Sequence, residues 1–235
     1  MAELAKTISP APSAGSALGR AVKSFSLLRE SPVGMTGAGL VAFWILVAIF
    51  APLLAPFDPL ATLQPMAKPG AEFAKGGTFW LGTDHLGRDI LSRIIYGSQT
   101  VLIYAPLATI SAYVVGILMG VAAGYHLGWW DVILSRVSDI ILSFPVLVLY
   151  IIIIATYGAS GTVIIVAITF ASAPGVMRIV RGLVLDLRSR EYVSAAQTRG
   201  EAPLHIMLVE ILPNARGPLI VDACVRLGYV IITIG

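Results

Sequence analysis

Charge is scarce in this chain. Of 235 residues only 12% are Asp, Glu, Lys or Arg, while 57% are hydrophobic. A soluble domain carries about 25% charged and about 45–50% apolar residues. The mean hydropathy of +0.87 points the same way, so a soluble globular enzyme and a disordered chain are both excluded. Cysteine is nearly absent. The single Cys224 can form no internal disulfide and reads as a small buried hydrophobe. Histidine is limited to His85, His126 and His205, and no metal-ligand spacing joins His, Cys and carboxylates, so no bound metal or cofactor is expected. No run of five basic residues exists, and the net charge is only +3, which argues against a nucleic-acid partner. The phosphate-loop pattern G-x-x-x-x-G-K-[ST] is missing too; between Gly70 and Gly77, Lys75 precedes Gly76. A cleaved leader is not expected, because the first apolar run follows 30 mostly polar residues and is too long for a signal-peptide core.

What the chain has in abundance is uncharged length. Residues 31–57, 94–130 and 140–177 contain no Asp, Glu, Lys or Arg over 27, 37 and 38 residues. Each exceeds the roughly 18 residues that mark a membrane-spanning helix. The spacing predicts spans over 37–55, 98–124, 140–157 and 162–180, and a fifth beginning near 217. The last charge-free run is about 57 Å as one helix at 1.5 Å per residue, nearly twice a bilayer core of about 30 Å, so it must fold back, with Gly158-Ala-Ser-Gly161 as the turn. That turn resembles a G-x-S-G protease motif, but no His is expected near Ser160. Pro145 and Pro174 are expected to kink their helices. Gly116, Gly120 and Gly124 form a ridge for close helix approach. Thr83 is expected to cap an amphipathic surface helix carrying Asp84/Arg88 and Asp89/Arg93 pairs and the stripe Leu86, Ile90, Leu91, Ile94 and Ile95. The domain reading is a cytoplasmic tail over 1–36, a first membrane helix over 37–55, an external loop with an interfacial helix over 56–96, and a membrane core over 97–235 with a cytoplasmic loop over 181–216.

Lys and Arg counts set the expected orientation. Eleven fall in the tail, the 125–139 turn and the 178–216 loop, against four in 57–97, so the tail and the loop are expected in the cytoplasm. Asp222 and Arg226 are i,i+4 in the fifth span, one to three turns from the cytoplasmic edge, as a gate or a structural ion pair. The tyrosines Tyr104, Tyr113 and Tyr150 read as lipid or helix contacts. The chain stops at Gly235 inside an apolar run, and the expectation is a chain truncated in its fifth span.

The loop holds the most specific pattern. Residues 189–200 predict a short helix with Glu191 near its start, Ala195 and Ala196 inside it, and Gly200 as its stop; Pro203 then opens a second helix over 204–212 that runs to Pro213. Ala195-Ala196, three residues, Gly200, and then Ile211-Leu212-Pro213-Asn214 resemble the "EAA" loop of permeases in bacterial ABC importers, with Ser194 in place of its Glu and Glu210 in place of its Ile. The segment Thr83-Asp84…Gly87-Arg88-Asp89…Ser92-Arg93 resembles the dipeptide/oligopeptide/nickel group of those permeases, and Asp139 and Pro145 fit as well. The resemblance implies an all-α polytopic transmembrane bundle of the type I importer kind, in the bacterial inner membrane. It implies a transport subunit, not an enzyme, that forms half of a pathway for peptides or related solutes. The implied partners are a second permease, two cytoplasmic ATPases carrying ATP and Mg, and an external substrate-binding protein. Glu191, Tyr192, Ala195, Ala196, Arg199, Gly200, Glu201 and Pro213 are the expected ATPase-coupling residues. The other reading is a gradient-driven carrier or channel subunit, which would need charged residues near mid-membrane forming an ion path.

Overall fold

The computed structural model describes residues 31–74 and 76–235; residues 1–30 of the expected tail, and Lys75, lie outside the described residues. The chain divides into two compact units between Ile95 and Tyr96.

The first unit opens with α1 (Pro32–Ile49) and a short turn of helix, α2 (Ala51–Leu54). The span therefore begins five residues before the expected position 37. The reason is local: the Ser31 hydroxyl accepts from the Gly34 N–H at 3.2 Å, and Pro32 occupies the first turn, where its missing N–H is harmless. Leu40, Val41, Phe43, Trp44 and Leu46 are exposed on α1, as suits a helix apolar all round and solvated by lipid.

Residues 57–92 fold tightly despite their prolines. A two-stranded antiparallel hairpin, β1 (Ala71–Glu72) and β2 (Thr78–Phe79), pairs Ala71 with Phe79 and Glu72 with Thr78. Phe57, Phe73 and Phe79 stack with ring centroids 5.0–6.0 Å apart. Thr83 is not a helix cap. Its hydroxyl donates to the Gln64 carbonyl at 2.5 Å and accepts from the Ala67 N–H at 2.8 Å, tying the loop to itself. Helix α3 (Ile90–His126) starts six residues later than expected. Asp89 caps it, accepting the Ser92 N–H at 2.8 Å. The Asp84/Arg88 pair forms at 2.8 Å, whereas Arg93 joins Asp84 at 2.6 Å and not Asp89. Gly87 at φ +80 turns the chain where a Cβ would stand 3.0 Å from the Pro65 nitrogen. The surface helix expected over 83–96 is thus a folded loop followed by the first turns of a long membrane helix.

The second unit is a helical bundle. After α3 come α4 (Gly128–Leu142), α5 (Val146–Tyr157) and α6 (Gly161–Arg188), then α7 (Glu191–Thr198), α8 (Pro203–His205), a π turn (Ile206–Ile211) and α9 (Leu212–Ile234). The glycine ridge does what its spacing predicts. A Cβ on Gly116, Gly120 or Gly124 would stand 2.6, 2.6 and 2.8 Å from the Cβ of Val176, Val180 and Val184. Both series advance by four and rise together, so α3 and α6 run parallel in close backbone contact.

Parallel neighbours require the chain to travel back between them. The span expected over 140–157 is instead α4 and α5, bent by 85° at Ser143–Pro145. Pro145 cannot continue a helix, and it forces Phe144 out of the helical region. Asp131 meets Arg181 at 2.5 Å, Asp139 meets Arg178 at 2.5 Å, and Tyr150 lies in one apolar cluster with Ala167, Ile168 and Ala171. Residue numbers fall on α6 as they rise on α4 and α5, so the bent pair returns antiparallel to it. The expected 125–139 polar turn is therefore mostly helix α4. Its polar face (Asp131, Ser135, Ser138, Asp139) packs on α6, where Ser135 bonds Asp131 at 3.1 Å. Gly158 at φ +85 and Ser160, which accepts the Val163 N–H at 3.3 Å, make the turn into α6 as expected. Among the described residues four helices are long and apolar enough to cross a membrane, or five with the bent pair as one. The protein is an all-α, multi-pass membrane bundle with one small hairpin in its first unit.

Candidate functional site

The loop between α6 and α9 is built of two helical arms packed on the bundle. Helix α7 ends on Gly200 at φ +79, with the Glu201 N–H bonded to the Ala196 carbonyl at 3.2 Å and the Gly200 N–H to the Gln197 carbonyl at 3.0 Å. This is a Schellman stop, and glycine supplies the left-handed residue without a side-chain penalty. Pro203 then restarts the helix as the sequence predicts.

The second arm departs from expectation. It does not end at Pro213; the backbone stays helical from Pro203 to Ile234. A regular α-helix would press the Pro213 ring against the carbonyl four residues back. The chain instead widens into the π turn over Ile206–Ile211, where the Leu212 N–H bonds the Met207 carbonyl five residues back. The second arm and the fifth span are one continuous helix.

Burial sorts the expected coupling residues. Val193, Ala196, Ile206 and Ile211 are fully buried in one cluster with Val176, Val180 and Val184 of α6 and Tyr125 of α3. Ala196 therefore presents no surface to a partner, which corrects its place in the expected contact set. Glu191, Ala195, Arg199, Gly200 and Pro213 are exposed, while Tyr192 and Glu201 are half-buried. Arg199 bonds Glu201 at 2.6 Å and lies 4.0 Å from Glu210. Glu210, standing where the loop pattern has Ile, thus faces the arginine that closes the two arms, with His205 3.6 Å from Glu201.

Asp222 and Arg226 meet at 2.8 Å on α9. The Tyr113 hydroxyl donates to the same Asp222 oxygen that accepts from Arg226 Nε. Tyr113 lies within α3, and Asp222 and Arg226 lie within α9. The pair therefore sits inside two helices long and apolar enough to cross a membrane. The Arg226 guanidinium rests against Gly175 of α6, where a Cβ would come within 3.1 Å of Nη1. Tyr113 and Gly175 are the residues that sequence reasoning missed, since nothing in a tyrosine's local sequence names a partner 109 residues away. Cys224, expected buried, is exposed on the outward face of α9. Among the described residues no group of three His, Cys, Asp or Glu could hold a metal.

Comparison with known proteins agrees with this architecture. Residues 112–234 match the family model described as binding-protein-dependent transport system inner membrane component, and residues 23–69 match the N-terminal TM domain of oligopeptide transport permease C. The chain is 36% identical over 215 residues to the dipeptide transport system permease protein DppC of Alkalihalophilus pseudofirmus, covering 89% of this chain and 68% of that one. It is 34% identical to the di/tripeptide transport system permease protein DppC of Pseudomonas aeruginosa (80% and 63%). To the glutathione transport system permease protein GsiD of Escherichia coli it is 33% identical (87% and 67%). It thus spans about two thirds of the length of these relatives. With its paired spans, its projecting loop and these matches, the chain belongs to the family of inner-membrane permease components of binding-protein-dependent transport systems, in the peptide group.

Proposed function

We propose that this chain forms half of the translocation pathway of an ATP-driven importer for peptides or related small solutes. The observation that carries the reading is the continuity of the second arm of the 189–213 loop with α9. The two arms are closed by the Gly200 stop and anchored through Val193, Ala196, Ile206 and Ile211, and the second is joined without a break to a membrane helix. Force applied to such a projection reaches the bilayer, whereas a slack loop would absorb it. Shifting a gate from 1:99 to 99:1 takes about 5.5 kcal/mol of differential interaction, which a stiff lever can deliver. ATP and Mg would be bound by two partner ATPases clasping Glu191, Tyr192, Ala195, Arg199, Gly200 and Glu201. A second permease and an external binding protein would complete the assembly, in a bacterial inner membrane with the N-terminus in the cytoplasm.

The peptide systems named for its relatives support the solute class. The complete assembly, reconstituted in proteoliposomes, tests the reading against a gradient-driven carrier. Uptake of a radiolabelled dipeptide should require ATP on the cytoplasmic side and survive collapse of ion gradients by ionophores. Uptake that follows an imposed proton gradient without ATP would reject it.

A further inference from the structure

The half-open ion pair inside the candidate membrane helices is not accounted for by packing alone. Asp222 and Arg226 come from α9, Tyr113 from α3, and Gly175 from α6, so the site gathers three of the spans in the second unit. The side chains of Asp222 and Arg226 keep 24% and 28% of their exposure, on a helix whose neighbouring exposed residues Val221, Val225 and Tyr229 are apolar or aromatic. Lipid is an expensive neighbour for the open side of a charge pair, and intramembrane charges face bundle interiors or water-filled paths. The pair satisfies its own charge within the chain, so it needs no countercharge from a second subunit. Gly175 leaves a notch at the guanidinium that any side chain would narrow.

We infer that Tyr113, Asp222 and Arg226 form a charged station on the wall of an aqueous translocation path, where Arg226 meets anionic groups, and Asp222 cationic groups, of the solute in transit. The inference rests on the permease reading above. Tyr113 is the positioning residue: its hydroxyl holds the carboxylate toward α3 and so fixes the face that the guanidinium presents.

Charged thiol reagents on the complete transporter in proteoliposomes test this. In a Cys224→Ala background, Asp222→Cys leaves Arg226 behind, and an anionic methanethiosulfonate should react about tenfold faster than a cationic one. Arg226→Cys leaves Asp222, and the preference should reverse. Gly175→Cys keeps both charges and reports from a second helix; it should react in the same nucleotide state, which covers the case in which an unpaired charge unfolds the other variants. No reaction at any of the three positions would overturn the proposal. So would reaction without charge preference at the rate of the native Cys224. ATP-driven uptake by the wild type in the same vesicles is scored separately, so loss of the station and loss of the permease reading are told apart.

Discussion

Gly120 is a position in the helix contact where an added side chain has nowhere to go. Its Cβ would stand 2.6 Å from Val180 Cβ and 2.7 Å from the Met177 carbonyl, and a backbone carbonyl cannot step aside. Gly120→Val should destabilise the bundle by about 1–3 kcal/mol through overpacking and lower its unfolding temperature in detergent. Gly182→Ala, where nothing lies within 4 Å, should leave that temperature unchanged or raise it. Asp84 makes a different kind of prediction. The Arg88 backbone N–H, with the Arg88 side chain and the Leu86 N–H, holds its carboxyl well below the usual carboxylate range. A folded-state value below the unfolded one stabilises fully above the unfolded value and fades as pH falls below it. Exchange protection of the Leu86 and Arg88 amides should therefore be flat from pH 7 to about 4 and decline only in stronger acid. Asp84→Asn should weaken that protection at neutral pH. The Asp84/Arg88 pair is legible in the sequence because it is local. The partner of Arg93 is not, because the choice between Asp84 and Asp89 depends on where α3 starts, and Asp89 is already engaged as its cap.

Helices α4 and α5 and the two arms of the loop show where element reading succeeds and where it stops. Gly200 and Pro203 announce their turn chemically, and the fold follows. The break at Pro145 is also announced, but the extent of α4 is not. Asp131, Ser135 and Asp139 read as a polar turn until a basic partner face, Arg178 and Arg181 on α6, gives that polarity somewhere to go. Exchanging the partners, Asp131→Arg with Arg181→Asp, should restore most of the stability lost in either single variant, since the pair is largely sheltered from solvent on its acidic side. Failure of the exchange in a detergent melt would mean that the α4–α6 contact does not depend on this pair. At Gly200, no atom lies within 4 Å of the place a Cβ would take, so only the backbone resists substitution within the chain. Gly200→Asn, which tolerates φ +79, should fold as well as the wild type. If a partner ATPase occupies that open space, the same variant should still lose coupled transport. Normal transport by Gly200→Asn together with loss in Gly200→Ala would assign the glycine's role to conformation alone.

Across the bundle, hydrophobic runs give the number of crossings but not their register. The parallel pairing of α3 with α6 is implicit in the Gly116–Gly120–Gly124 ridge, yet its partner series, Val176, Val180 and Val184, is an ordinary apolar stripe until the fold selects it. The same holds for polarity inside the candidate membrane helices. Asp222 and Arg226 are visible in the sequence, while their contacts with Tyr113 and Gly175 on other helices are not. The 57–92 segment is the largest departure. Its prolines and glycines read as loop, but three phenylalanines and a buried threonine give it a core of its own.

The central claim is that the projection 189–213 is where an ATPase grips the bundle. Its direct test is co-purification in mild detergent of the tagged chain with co-expressed ATPase subunits of a peptide importer from the same organism, comparing wild type with an Ala195→Arg, Gly200→Glu double variant. Both positions are exposed, so the variant should insert; the strain of Glu at φ +79 should lower its melting temperature, and a Gly200→Glu single variant measures that cost separately. ATPase retained by the wild type and lost by the inserted variant is the predicted result. Equal ATPase recovery with both chains would contradict the account.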